Sequence, residues 1–415
     1  MTQKTPLNLL APLSVSMVVI TLGAAFGVLS GRGALIGMVS TCVITLITAL
    51  IGGSRYGVSS PTGPMTAAIG AILILDQRWL QTHVADLDLV GLINLTLLMA
   101  GVILFLLTLF RVHKLVKWVP NLVVSGFVNG IALLIILAQF RSMELQADWI
   151  LMGVTFLFAL GVNRLNQKFT HLAWRVLSGS FFVILIMSLF TWMVDGPVSY
   201  INLEANLFSL DLSLPKLSAI NFETTKIIVP LAFELALIAL LDTLLTAVIM
   251  DKKSRRKTQM TRELTGQSLG LAVMSFFGGI PSAQSTVPSM MLYQEKGHHK
   301  LSKIILAGFC ILFTFAFAQL ITFVPLAVFG GIILKIAVDV ADFTSLKTIL
   351  HESGRHRWTH LAILLGVALS TVLLSLNLAV IFFTLIFVFW NSLAPKKWHI
   401  PDLKLSESEG FADEI

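Results

Sequence analysis

Charge is what this sequence has least of. Asp, Glu, Lys and Arg make up 12% of the chain and hydrophobic residues 56%, whereas a soluble domain carries about 25% charged residues. A chain this poor in charge cannot give a water-facing surface ordinary polarity. That excludes a soluble enzyme, a disordered chain and a nucleic-acid binder. Cysteine is also scarce. Cys42 and Cys310 both sit inside apolar runs, which gives neither a disulfide framework nor a metal-ligand spacing; both read as small buried apolar side chains. The nine histidines fall mostly in loops, and no His/Asp/Glu cluster of metal spacing lies in the apolar runs. We therefore expect no enzyme activity and no cofactor. No cleavable signal peptide is expected either, because the first apolar run is too long.

Long apolar runs dominate what is there. Residues 5–31, 33–54, 56–75, 89–110, 118–140, 149–163, 176–194, 264–294, 304–334 and 358–395 carry no charged side chain, and 227–250 carries only Glu234 and Asp242. A helix crossing hydrocarbon needs about 20 apolar residues. The run 358–395 must therefore hold two spans with a bend near Asn377, 304–334 about one and a half, and 264–294 something between one and two. We count about fourteen segments. With the N-terminus cytoplasmic, alternate loops gather 22 of the 29 Lys and Arg residues on the inner side and 5 on the outer, with Arg55 and Lys335 near span ends. Cytoplasmic loops collect positive charge, so this reading predicts a multi-pass protein with both termini cytoplasmic. The run 251–263 becomes an inner loop.

Two of these segments are interrupted at matching places. Gly52-Gly53-Ser54-Arg55-Tyr56-Gly57-Val58-Ser59-Ser60-Pro61-Thr62-Gly63-Pro64-Met65 and Gly278-Gly279-Ile280-Pro281-Ser282-Ala283-Gln284-Ser285-Thr286-Val287-Pro288-Ser289-Met290-Met291 align when Gly52 is set on Gly278, a shift of about half the chain. Polar, Gly/Pro-broken segments in corresponding positions point to two repeats. Irregular backbone at membrane depth survives where it lines a cavity or is buried in protein. We read each segment as an extended stretch followed by a half-helix, with Pro61 in the first turn and Ser59, Ser60, Ser285 and Thr286 near the cap. Helix starts offer free N–H groups and partial positive charge. In inverted repeats they would face each other near the midplane and favour a small anion. The alternative is two ordinary helices loosened for close packing.

The run 227–250 holds Asp242, with apolar neighbours for seven residues before it. A carboxylate at the bilayer centre costs roughly 2.5–3.5 kcal/mol on insertion scales, which makes function the default reading. Thr246 is one turn on, on the same face. Together they can offer oxygen ligands to a hard cation such as sodium. Asp242 could instead be protonated and carry a proton itself, or make a packing hydrogen bond. Glu234, eight residues earlier, reads as an entrance or packing residue. Lys335 and Asp339, one turn apart, read as a pair.

Several motifs then occur in one order: Gly52-Gly53-Ser54-Arg55 with Val58-Ser59-Ser60-Pro61-Thr62; Pro120, Val123, Gly126-Phe127 and Gly130-Ile131-Ala132; Leu241-Asp242-Thr243-Leu244-Leu245-Thr246-Ala247; Arg262-Glu263-Leu264 with Gln267; and Phe277-Gly278-Gly279-Ile280-Pro281. The sequence resembles the sulfate permease (SulP) family of anion transporters over residues 8–395. The resemblance implies an all-α membrane protein of fourteen segments in two inverted seven-segment repeats (7+7), about 8–195 and 226–395. It implies core and gate domains, half-helices at segments 3 and 10, and elevator-like transport, often in a homodimer. The transporter domain would span 1–398, with 399–415 a short cytoplasmic tail and the family's STAS domain missing.

Within the family, Val58-Ser59 with Pro61-Thr62-Gly63-Pro64-Met65-Thr66 is similar to the sodium-dependent bicarbonate transporters of cyanobacteria. That resemblance implies sodium held at Asp242, Thr246 and Thr286, and an anion held by Ser59, Ser60, Thr62, Ser285 and Thr286 with Phe26 and Thr21 closing the site. Many sulfate-moving relatives carry Glu at the position of Asp242 and Arg at that of Pro288. Their absence here favours a singly charged anion. The expectation is sodium-coupled bicarbonate uptake across a bacterial inner membrane. The alternatives are sulfate or another oxyanion moved with protons or sodium, an anion channel or exchanger of the same fold, and a nucleobase–cation symporter. Thr261, Thr21 and Gln284 depart from the family pattern, and Gln284, in place of a small residue, is expected to narrow or re-tune the site.

Overall fold

The computed structural model of the chain describes residues 8–73, 88–112, 120–142, 145–168, 180–194, 197–200, 215, 221–299, 301–317, 323–351, 355–373, 376–393 and 400. Helices follow the apolar runs, as they must where backbone groups have no water to bond. In chain order they are α1 (Leu10–Leu29), α2 (Ala34–Ile51), a strand β1 (Val58–Pro61), α3 (Gly63–Leu73), α4 (Leu89–Leu109), α5 (Asn121–Ser142), α6 (Gln146–Lys168) and α7 (Ser180–Val194). Then come α8 (Phe222–Ser254), α9 (Met260–Met274), a strand β2 (Ser282–Ser285), α10 (Thr286–Gln294), α11 (Ser302–Phe317), α12 (Leu326–Val340), α13 (Phe343–His351), α14 (Arg355–Leu373) and α15 (Leu376–Leu393). The run 358–395 is indeed two helices, and 264–294 resolves into α9, β2 and α10. The break between α14 and α15 lies outside the described residues, and Asn377 belongs to the first turn of α15.

The chain forms two compact units: residues 1–111 with 138–335, and residues 112–137 with 336–415. In the second unit Leu122, Ile349, Leu364 and Phe387 form a core. There α5 meets α14 through two glycines: a Cβ on Gly126 or Gly130 would lie 2.7 Å from Val367 or Thr371. Asp342 N donates to the Asn129 side-chain oxygen at 2.9 Å, tying α5 to the start of α13.

In the first unit α9 packs on α2 and α4, α8 on α4, and α11 on α1 and α2. The paired strands β1 and β2 lie among α1, α2 and α8. The α1–α2 pair is in close backbone contact. A Cβ on Gly37 would lie 2.0 Å from the carbonyl oxygen of Gly23, and one on Gly23 2.0 Å from Thr41 Oγ1. Small residues that let backbones touch are how helices associate where burial of apolar surface supplies no driving force. The longest helix, α8, starts with a reciprocal cap between Asn221 and Thr224 and ends where Arg255 turns left-handed at φ +52°.

Apolar side chains also face outward in stripes. On α4, Val102, Phe105, Leu106 and Leu109 are exposed; on α15, Phe382, Leu385, Phe389 and Leu393. In water such stripes would be interaction or aggregation surfaces; against lipid they are ordinary. Among the described residues, α1, α2, α4 and the stretch 224–247 of α8 are long and apolar enough to cross a bilayer.

The glycine contact yields a prediction. Gly37→Ala should lower thermal stability by about 1–3 kcal/mol, the usual cost of overpacking. Gly153→Ala, whose added Cβ would meet nothing within 4 Å, should leave the Tm of the purified protein unchanged or slightly higher. Equal Tm for both variants would contradict the packing account.

Candidate functional site

Two strand–helix units meet inside the first unit of the chain. β1 runs into α3 and β2 into α10, and the strands pair antiparallel, with Val58 opposite Ser285, Ser59 opposite Gln284, Ser60 opposite Ala283 and Pro61 opposite Ser282. Every residue of β1 is buried, as are Ser282, Ala283 and Gln284. The pairing satisfies backbone groups that helices would otherwise bond, so extended chain can persist in the interior. The strand extents, Val58–Pro61 and Ser282–Ser285, set Val58 in step with Ser282, whereas the sequence alignment sets it on Gln284. In the structural register Thr62 matches Thr286 and Pro64 matches Pro288.

That shift corrects part of the cap assignment. Pro61 is strand, not first turn, and Ser59 and Ser60 are strand residues rather than caps; α3 begins at Gly63. Pro64, with no N–H to lose, occupies the first turn instead. Ser285 does stand at the cap of α10, but its hydroxyl makes no capping bond and Thr286 is the first helical residue.

The matched threonines both reach α8. Thr62 Oγ1 donates to Asp242 Oδ2 at 2.8 Å. Thr246 Oγ1 lies 2.7 Å from Thr286 Oγ1 and 3.1 Å from the carbonyl oxygen of Gln284. Asp242 and Thr246 are one helical turn apart, so one face of α8 meets the residues at the starts of both α3 and α10. Thr246 and Thr286 thus meet, while Asp242, one turn away on α8, is bonded to Thr62. The Thr62 hydroxyl, expected on the anion, has its proton on Asp242.

Strand alternation sends Ser59 and Ser60 to opposite faces. Ser59 Oγ accepts from Gln267 Nε2 at 2.6 Å, and its carbonyl accepts from Thr45 Oγ1 at 2.8 Å. Ser59 therefore belongs to the α2–α9 side, its hydroxyl engaged by Gln267. Ser60 is fully buried, and among the described residues its hydroxyl makes only a 3.4 Å contact to the Pro61 carbonyl. Both sequence-predicted residues of α1 are buried, and α1 packs against β1, α3 and α10. The Thr21 hydroxyl is spent on Met17 O at 2.7 Å; Phe26 offers an apolar ring.

Several supporting residues were not foreseen. Ser289 Oγ accepts from Val58 N at 2.9 Å and donates to Ser285 O at 2.5 Å, stitching β1 to α10. The carboxylate of Glu263, wholly buried, accepts from Ser54 N at 2.8 Å. Lys303, counted as a loop cation from the sequence, is buried and donates to Thr48 O and Ser54 O at 3.1 and 3.2 Å. The last carbonyls of α2 carry partial negative charge that a cation offsets. Arg32, read as an outer-loop cation, donates from Nε to Gly278 O at 3.1 Å. Both glycine-pair turns are thus held by a cation distant in sequence. Gln284 is buried with neither amide atom bonded among the described residues, pressed against Gly57.

A helical protein with apolar outer stripes and a polar interior built on two strand–helix units is a multi-pass membrane protein. The chain belongs to the sulfate permease family, whose profile matches residues 6–148 and 142–356. It is 28% identical over 388 residues to the bicarbonate transporter BicA of Picosynechococcus sp., covering 89% of this chain and 67% of that protein. It is 26% identical over 358 residues to the putative sulfate transporter YbaR of Bacillus subtilis, covering 82% and 68%. The chain thus spans about two thirds of the length of these relatives. Among solved structures it shares its fold with the transmembrane domain of a cyanobacterial BicA, at TM-score 0.75 and 24% identity over 90% of this chain and 96% of that one.

Two near-isosteric changes test the hydrogen-bond assignments. Gln267→Leu leaves Ser59 without its donor and should destabilise by about 1–3 kcal/mol. Gln284→Leu removes two buried atoms that have no protein partner among the described residues and should leave Tm unchanged or raised. A larger loss for Gln284→Leu than for Gln267→Leu would overturn the assignment.

Proposed function

We propose that the chain is a secondary anion transporter that takes up bicarbonate together with sodium. The observation that carries this reading is the convergence of Asp242, Thr246, Thr286 and the Gln284 carbonyl where α3 and α10 begin. A carboxylate, two hydroxyls and a carbonyl are a donor set for a hard monovalent cation, by analogy with calcium sites. Helix starts beside them favour an anion. Sodium would be held by Asp242, Thr246 and Thr286. The anion would lie against the N–H groups that open the two short helices, with Ser60, Ser285 and Phe26 around it.

On this reading the two broken segments are half-helices of inverted repeats. The starts of α2 and α9, Ala34 and Met260, have the same spacing as Gly52 and Gly278, which supports the repeat. Movement of the site past a fixed scaffold would then give alternating access. The stretch 251–263, expected as a loop, is instead the end of α8, a short connection at 255–259 and the start of α9; its positive charge would place that connection on the cytoplasmic side.

The relatives named bicarbonate and sulfate transporters match almost equally well, so the choice between those anions rests on residues. By the family resemblance, many sulfate-moving relatives would carry a longer Glu in place of Asp242 and an Arg in place of Pro288. A site without that fixed cation holds a single negative charge better than a double one.

Uptake of labelled bicarbonate and of labelled sulfate into proteoliposomes, with and without a sodium gradient, tests the reading. Bicarbonate uptake should need sodium; sodium-independent sulfate uptake would reject it. Asp242→Asn should abolish sodium stimulation with expression intact, and persistence of that stimulation would remove the carboxylate from the cation site. Thr286→Phe should abolish uptake of the preferred anion in a protein that still purifies as a single species; normal uptake would move the site elsewhere.

A further inference from the structure

A polar cavity of about 290 Å³ opens between the turn that precedes β1 and the end of α8. Its size is near the lower end of small-molecule sites, which run from about 300 Å³ upward. Arg55, Arg256 and Lys257 line it, with Asp251 the acidic residue among its walls. Asp251 is already engaged: its carboxylate accepts from Thr258 N at 2.9 and 3.0 Å and from Thr258 Oγ1 at 2.6 Å. Arg256 and Lys257 make no hydrogen bond among the described residues. Arg55 bonds His298 O through Nε and Nη2, leaving Nη1.

The walls are held. The Asp251–Thr258 bonds close the loop after α8, and the left-handed Arg255 turns it. Gln259 N donates to Gly53 O at 3.2 Å, joining that loop to the opposite wall. The local field is positive beyond the cavity as well. His298 is held below the usual imidazole range, by burial first and then by Arg55, Arg256 and Lys296. The guanidinium fork of Arg256, the remaining Nη1 of Arg55 and the ammonium of Lys257 around a small cavity match the multidentate recognition of phosphate oxygens.

We propose that this cavity binds a phosphate group, either free phosphate or the headgroup of a lipid, separately from the site at Asp242. The two sites share their frame. Met250 is two turns beyond Asp242 on α8, about 12 Å along the helix axis, and Tyr56 leads directly into β1. An occupant would brace both elements that hold the candidate transport site.

The test reads binding, so it stands or falls independently of what the chain transports. The full chain in detergent is titrated with inorganic phosphate against chloride at equal ionic strength. A saturable Tm rise specific to phosphate, lost in Arg256→Gln/Lys257→Gln, supports the site and a soluble occupant. A Tm rise in phosphatidylcholine vesicles containing phosphatidic acid over phosphatidylcholine alone, lost in the same variant, supports the site and a lipid headgroup. The altered side chains are both exposed, so the variant should fold; Lys257→Gln alone is the fallback and should weaken either response. No response of the unaltered chain to either probe, or equal responses in chain and variants, overturns the proposal.

Discussion

The antiparallel pairing of β1 with β2 is the interaction on which the interior depends. A chain that abandons the helix inside an apolar core leaves backbone N–H and C=O groups unpaired, and each such group costs several kcal/mol in hydrocarbon. Neither extended stretch could meet that demand alone. Together, four residues opposite four, they bond each other, and Thr45 and Ser289 take up carbonyl and N–H groups at the ribbon's edges. Only then can α3 and α10 begin directly after buried extended chain.

The ribbon explains much of the surrounding polarity. Glu263, Gln267, Ser54 and Lys303 are buried around the turn that feeds β1. Glu263 holds that turn by the Ser54 amide, Gln267 by Ser59, and Lys303 by the carbonyls of Thr48 and Ser54. Buried polar groups without partners are expensive, so a network of this kind specifies a single arrangement of its members. The glycines serve the same end. A Cβ on Gly53 would lie 2.1 Å from the Gln259 carbonyl oxygen, so side-chain absence there is what lets the loop after α8 touch the turn before β1.

How much of this was legible in the sequence varies with the range of the interaction. The helices are local: apolar run length and charge spacing place α1, α2, α4 and the α14–α15 pair, because a span is a property of a single unbroken stretch of chain. The two broken segments were legible as well, since Gly, Pro and Ser announce an interrupted helix wherever they cluster. Their register was not. Pro61 and Pro64 are both acceptable first-turn residues, and only the partner strand, in the other half of the chain, decides that the helix waits until Gly63. Pairings across the chain were equally hidden. Thr62 and Asp242 are distant in sequence and meet only in the fold, and Lys303 resembles any cation at a membrane edge until Thr48 and Ser54 are seen around it. Gln284 was singled out as a departure, but its position against Gly57 belongs to the packing.

Electrostatics argues for how the proposed site would discriminate among anions. Each helix start carries roughly half an elementary positive charge, so α3 and α10 together offer about one. Ionised Asp242 offsets that charge, leaving the region close to neutral and indifferent to anions. A sodium ion at the proposed site would restore a net charge near +1, which one bicarbonate would neutralise and one sulfate would overshoot. Coupling would then arise without a moving part: the cation makes the site attractive to the anion, and by reciprocity the anion holds the cation. A fixed Arg at position 288 would supply the same positive charge permanently and remove the need for the ion. Proline there adds no charge, so on the proposed reading the charge would have to be delivered by sodium.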